Sequence, residues 1–234
     1  RSSLLNFPSS DYIIAQPFGN TLHISPWNYP FQLSIAPLIG AVAAGNTVLL
    51  KPSEYSLHTS AILDKILSNV FDDGFVKVIQ GGPEIASKIL EFKWDYIFYT
   101  GSVKVGKIVA KEAAKHLTPV TLELGGKNPC VIDETVPIRV TAKRIVWGKF
   151  TNCGQTCIAP DFLIVNNKIK SKLIEEIKIQ LINTYGEKPI ESSEYGRIIS
   201  TKHMNYLSSL IEDHNILFGG NIDVDQKYFQ PTLI

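Results

Sequence analysis

Cysteine is scarce in this chain: three among 234 residues, Cys130, Cys153 and Cys157. An odd, small count excludes a disulfide framework and suits a reducing compartment, so the cytoplasm is the expected location. The C-x3-C pair Cys153/Cys157 has no second pair and no nearby His, so no metal site is expected. Long apolar runs are also missing. The longest, Ser34 to Gly45, contains Pro37 and Gly40 and is too short to span a bilayer. No charged segment followed by an apolar one marks a secretory leader. Net charge is only +1, which leaves no basic footprint for nucleic acid. Methionine occurs once, at Met204, and the chain opens on Arg1. It is therefore expected to be a processed product or a piece of a longer chain. No internal repeat or low-complexity segment stands out.

What is present is an ordinary globular composition, 44% hydrophobic and 19% charged, over a length that fits one large or two modest domains. Strand and helix patterns alternate along it. Asp11–Gln16 and Thr21–Ser25 read as extended segments around the turn Pro17–Asn20. Phe31–Ala44 reads as a buried helix stopped by Gly45-Asn46. Thr47–Leu50 is a buried strand, and Ser56–Val70 carries Leu57, Ala61, Ile62, Ile66 and Val70 at helical spacing. Then come strand Phe75–Ile79, helix Pro83–Leu90, strand Tyr96–Tyr99, helix Val103–Leu117 and strand Val120–Leu124. The second half repeats the pattern: strand Pro129–Ile132, helix Ile138–Phe150, strand Phe162–Val165, then helices Ile169–Tyr185 and Thr201–His214. Such alternation implies parallel βαβ units, with ligands at the carboxyl ends of the strands. The natural boundary lies near Gly125-Gly126, giving domains 1–125 and 126–234.

Five segments carry chemistry. Phe150–Ala159, F-T-N-C-G-Q-T-C-I-A, sets Cys157 after a small polar turn and before an apolar stretch. Such a turn can hold a nucleophilic thiol with backbone N–H groups around it, or it can bury a small hydrophobe. Thr100–Lys107, with Gly101, Ser102, Val103, Lys104, Val105 and Gly106, follows a strand and opens a helix. Free N–H groups at a helix start suit a phosphate. The G-x4-G-K spacing mimics a triphosphate loop, but Ile108 replaces the metal-binding hydroxyl, which favours a metal-free pyrophosphate site over a nucleotide-triphosphate hydrolase. In Leu50–Glu54, Lys51 and Glu54 could grip ribose hydroxyls, or Glu54 could cap the next helix. In P-W-N-Y-P-F, two prolines and two aromatics would hold the Asn28 amide as an oxyanion donor, or simply line a core. In T-L-E-L-G-G-K, Glu123 ends a buried-looking strand, where burial would raise its pKa and make it a general base; the alternative is a surface Glu paired with Lys127.

The ordered set P-W-N-Y-P-F, K-P-S-E, Y-T-G-S-x3-G-K, L-E-L-G-G-K and F-x-N-x-G-Q-x-C resembles the aldehyde dehydrogenase superfamily over nearly the full chain. The flanks T-P-V-T-L-E-L-G-G-K-N-P-C, W-G-K-F-T-N-C-G-Q-T-C-I-A-P-D-F and Y-G-R-I-I-S are most similar to its class-three branch, which includes fatty and aromatic aldehyde dehydrogenases. The resemblance implies an α/β fold: a Rossmann-like parallel sheet domain for the cofactor and an incomplete α/β catalytic domain. It implies Cys157 as nucleophile, Glu123 as general base and Asn28 as oxyanion amide. Lys51 and Glu54 become the adenosine-ribose ligands, Gly101 to Gly106 the pyrophosphate loop, and Gly125 a point of close backbone approach. The implied reaction oxidises a medium- or long-chain aliphatic or aromatic aldehyde with NAD, NADP being open as well. The parent is expected to be a homodimer, with membrane attachment left open.

The family's E-x-F-G-P segment, whose glutamate holds the nicotinamide ribose, lies beyond Tyr228–Ile234, so the chain resembles a central fragment with weak or no turnover of its own. Two rivals stand beside this reading: an acylating relative that passes the thioester to coenzyme A, and a non-catalytic homologue. Such relatives usually lack the base or the nucleophile, and both Glu123 and Cys157 are present.

Overall fold

The structure, a computed structural model, describes residues 4–234; the first three residues of the expected 1–125 domain lie outside it. The chain divides into two compact units, Arg1–Leu124 and Gly125–Ile234.

The first unit alternates strand and helix: β1 (Asn20–Ile24), α1 (Gln32–Ala43), β2 (Thr47–Lys51), α2 (Leu57–Val70), β3 (Val76–Val78), α3 (Pro83–Leu90), β4 (Tyr96–Gly101), α4 (Val103–Ala114) and β5 (Val120–Leu124). All five strands are parallel, in the order β3-β2-β1-β4-β5. The chain runs outward from β1 to β3, then returns to the other side of β1 with β4. That reversal is a topological switch point, where a crevice opens beyond the carboxyl ends of the strands. Each face has its own core. Leu38 of α1 and Leu67 of α2 pack on Val48, Leu50, Val76 and Val78. Ile89, Leu90, Val109 and Ala113 of α3 and α4 pack on Leu22, Ile97 and Tyr99. Burial on both faces explains why Thr47–Leu50 reads as a continuous apolar run rather than an alternation. Gly45, at φ 86°, ends α1; the buried Asn46 side chain then joins Ala41 C=O (3.1 Å) to Gly19 N–H (3.0 Å) and fixes the entry to β2.

The second unit holds β6 (Asn128–Ile132), α5 (Ile138–Phe150), β7 (Pro160–Val165), α6 (Asn167–Tyr185), α7 (Thr201–Ser209), β8 (Ile222–Asp223) and β9 (Tyr228–Phe229). Strands β6 and β7 are parallel with α5 as their crossover. Leu173, Ile177 and Leu181 recur every four residues on α6 and meet Ala142, Ile145, Val146 and Phe150 of α5. The ladder is irregular at its start. Asn128 faces Pro160 but Pro129 faces Phe162, so Asp161 stands outside it.

Helix α4 stops at Ala114 rather than Leu117, and three further elements differ more from expectation. Asp11–Gln16 forms no strand and is exposed throughout. The helix from Thr201 stops at Ser209 rather than His214; Glu212 and Asp213 would sit at its carboxyl end, where negative charge opposes the helix dipole. The β8–β9 hairpin escaped notice because two-residue strands show no periodicity.

Candidate active site

The sequence-derived residues of the first unit fall at the carboxyl ends of its strands. After β1 the chain stays paired for one more residue, Ser25 N–H donating to Lys51 C=O at 3.0 Å. It then turns through Pro26–Pro30, and the Ser56 hydroxyl donates to the Trp27 carbonyl at 3.3 Å, tying this turn to the start of α2. Asn28 is half-buried, with Oδ1 enclosed.

Lys51, the last residue of β2, is 2% exposed. Its Nζ donates to Pro52 C=O at 2.8 Å and lies 3.8 Å from Glu54 Oε2. Burial pushes the lysine pKa down, while the Glu54 and Glu84 carboxylates oppose that shift. Glu54 is half-exposed and pairs with Lys51; the N-cap of α2 is Ser56. A buried ammonium beside a reachable carboxylate offers the donor and acceptor that a vicinal diol requires.

Glu84 was missed by sequence reasoning. It sits in the first turn of α3, beyond β3, where Oε1 accepts from Gly82 N–H at 3.0 Å. Bonds from its own and the Gly82 amides hold its pKa below the usual carboxylate range, with Lys51 adding to the effect. The signal was there: G-G-P-E after a strand marks a helix start with an acid in its first turn.

The Gly101–Gly106 turn leads from β4 into α4. Ser102 caps the helix, its Oγ accepting from Val105 N–H at 3.3 Å, while the Tyr99 hydroxyl donates to Ser102 C=O at 3.2 Å. Val103, Lys104 and Val105 are exposed at the helix start. A Cβ on Gly106 would lie 2.8 Å from Leu124 Cδ2, so the glycine lets α4 approach β5 closely. A Cβ on Gly101 would collide with the Tyr99 hydroxyl. Gly101→Ala is therefore expected to displace the buried Tyr99 ring and cost about 1–3 kcal/mol, read by urea unfolding. An unchanged midpoint would show that the ring yields freely.

Glu123 lies in β5, opposite Thr100. It is exposed, which corrects the expectation of burial: β5 is an edge strand, covered by a neighbour on one side only. Lys127 pairs with Asp161 at 3.2 Å. Gly125 is uncrowded, since a Cβ there would meet nothing within 4 Å. The close approach expected at this glycine is therefore not imposed by neighbouring protein atoms.

In the second unit, Asn152 (φ 54°), Cys153 (φ 56°) and Gly154 (φ 75°) are three successive left-handed residues after α5. For a cysteine this conformation is strained, and it reverses the chain sharply. The next residues are held from both sides. The Gln155 amide donates to Asn152 C=O (3.1 Å) and Arg197 C=O (3.0 Å), and its Oε1 accepts from Ile199 N–H (2.9 Å). Ala159 N–H closes a turn onto Thr156 C=O at 3.1 Å. Cys157 is exposed in the middle of this turn, whereas Cys130 and Cys153 are half-buried. Burial pushes the Cys153 thiol up to about 11, against smaller opposing effects of Tyr195 and Arg197, and it also raises Cys130. Among the described residues no group of three or more His, Cys, Asp or Glu could hold a metal. No described helix is long and apolar enough to cross a membrane.

The chain matches known proteins in sequence and in fold. The aldehyde dehydrogenase family model matches residues 6–234. The chain belongs to that family. It is 47% identical over 234 residues to aldehyde dehydrogenase family 3 member A2 of Pongo abelii, covering 100% of this chain and 48% of that one. It is 45% identical over 223 residues to the dimeric NADP-preferring aldehyde dehydrogenase of Rattus norvegicus, covering 95% and 49%. Among solved structures, the substrate-bound state of Staphylococcus aureus AldH superposes with a TM-score of 0.93 at 44% identity, covering 99% of this chain and 51% of that one. Mycobacterium tuberculosis aldehyde dehydrogenase complexed with NAD+ gives 0.84 at 27%, covering 92% and 47%. The chain thus spans about half the length of the relatives it matches. The fold is that of an aldehyde dehydrogenase Rossmann-type α/β unit followed by a second compact α/β unit.

Proposed function

We propose that this chain is the central part of an enzyme that oxidises aldehydes to carboxylic acids with NAD(P). Residues 1–125 would bind the cofactor and residues 126–234 would carry the nucleophile. The observation that carries the reading is Cys157: one exposed thiol at the centre of a doubly anchored turn, in a chain whose other thiols are suppressed by burial.

The cofactor fits the first unit. Lys51 and Glu54 would hold the adenosine ribose, and the α4 start from Gly101 to Gly106 the pyrophosphate. Glu54 accepting a ribose 2′-OH favours NAD; the rat relative named NADP-preferring supports use of NADP as well. When bound, the cofactor takes up the hydride that leaves the substrate carbon. The remaining chemistry belongs to the chain. The Cys157 thiolate adds to the aldehyde carbon. Asn28 and the Cys157 N–H hold the oxyanion, each donor worth roughly 3 kcal/mol. Loss of hydride leaves a thioester on Cys157. Glu123 then takes a proton from water, whose oxygen attacks the thioester and releases the acid and the thiolate. The substrates are medium- or long-chain aliphatic or aromatic aldehydes, and the parent is a cytoplasmic homodimer; the rat relative's name supports the dimer.

Iodoacetamide tests the nucleophile. Near neutral pH a thiol with a pKa of about 11 is thiolate in only about one molecule in several thousand. Cys157 is expected to be alkylated at least about tenfold faster than Cys153 or Cys130, read by peptide mass. Equal, slow labelling of all three would overturn the assignment.

A further inference from the structure

Asn128 opens β6, and its side chain reaches across to the cysteine turn. Its Nδ2 donates to Cys157 C=O at 2.7 Å and to Ala159 C=O at 3.1 Å, so both amide protons are used there. The irregularity that excludes Asp161 from the ladder sets this register, and Lys127 is anchored on that same Asp161. Cys157 and Ile158 are the two central residues of the Thr156–Ala159 turn. The peptide between them is the one whose flip separates the two common turn types. Its C=O and N–H point in opposite directions, so a flip would reverse the dipole next to the thiol. Among the described residues Ile158 N–H has no hydrogen-bond partner. The carbonyl end is therefore where this peptide is held.

We infer that Asn128 is a positioning residue for Cys157, pinning the Cys157–Ile158 peptide in one orientation and so fixing the dipole that the thiolate meets. This rests on Cys157 being the nucleophile proposed above. Gln155 anchors the turn to residues 197–199; among the described residues, Asn128 alone grips the carbonyl of Cys157 itself.

The test uses the 234-residue chain with Asn128→Ala, Asn128→Asp and Asn128→Ser. Alkylation of Cys157 by iodoacetamide is followed across neutral to alkaline pH, with Cys153 labelling and thermal melting as controls. The alanine variant is expected to lose about fivefold in rate near neutral pH, the worth of one ordinary hydrogen bond. Its rate should recover in strong alkali, where the thiol is ionised regardless. Aspartate, with no proton to donate and a charge facing two carbonyl oxygens, should lose more; serine, keeping one donor, should lose less. Wild-type profiles in the alanine and aspartate variants would overturn the inference alone. So would a loss equal at every pH with lowered melting, which is the mark of a merely structural role. Should the alanine variant not fold, the serine variant decides by the same two criteria. A wild-type Cys157 no faster than Cys153 would overturn both the inference and the proposed function.

Discussion

Glu123→Gln in the parent enzyme is expected to cut steady-state aldehyde oxidation about 10²–10³-fold while leaving a first-turnover burst of NADH in place. A positioned general base contributes about 10²–10⁴-fold, and Glu123 is assigned to the second half of the cycle, the hydrolysis of the thioester. Glutamine keeps the shape and loses the basicity. The residue is exposed on an edge strand whose backbone pairing with β4 does not involve the side chain, so stability should move by less than about 0.5 kcal/mol. Cys157→Ser supplies the contrast, because both burst and turnover should vanish without a thiolate. The measurement is rapid-mix NADH absorbance with an aliphatic aldehyde. A burst lost together with turnover in Glu123→Gln would move the residue to thiol activation. Unchanged turnover would remove it from the chemistry.

Legibility of the sequence followed the physics of each element. Pro83–Leu90, Val120–Leu124 and Ile138–Phe150 were readable to the residue, since each has a clear period bounded by Pro, Gly or a charged turn. Asp11–Gln16 was not, because a short run rich in Tyr and Ile shows that a segment is able to pair and not that a partner exists. The position of Lys51, Glu54 and Gly101–Gly106 at the carboxyl ends of strands was legible; their roles remain part of the proposed function. The exposure of Glu123 was not legible, because strand order, which makes β5 an edge, is a long-range property. Asn128 acts through two contacts across the fold, reaching residues 29 and 31 positions away. Local sequence carries no trace of such a partner. The suppression of Cys153 likewise depends on burial against the core of the second unit, which local sequence does not reveal.

Acid is expected to destabilise the first unit through a single histidine, His23. It sits near the carboxyl end of β1 between Leu50 and Phe98, is 3% exposed, and its Nδ1 meets no hydrogen-bond partner among the described residues. Phe98 lies 5.7 Å away, ring centre to ring centre. Burial alone lowers its pKa from 6.5 to about 4, because charging the imidazole there finds no compensating group. Linkage gives the sign. The unfolded chain binds the proton below 6.5 and the folded chain only near 4, so the stability contribution is intact above 6.5 and is lost as pH falls toward 4. At ~1.4 kcal/mol per pH unit the loss reaches about 3 kcal/mol, a large share of a domain's stability. β1 leads directly into the Asn28 turn, so charging His23 should loosen one candidate catalytic residue before the second unit responds. His23→Leu removes the titration and the orphaned nitrogen at similar volume. Urea unfolding of the 234-residue chain, followed between neutral pH and about pH 4, should show the variant gaining about 3 kcal/mol on the native protein across that interval. Parallel curves for the two proteins would mean that His23 finds a partner for its charge in the fold, and that the acid limit of this unit lies in its carboxylates instead.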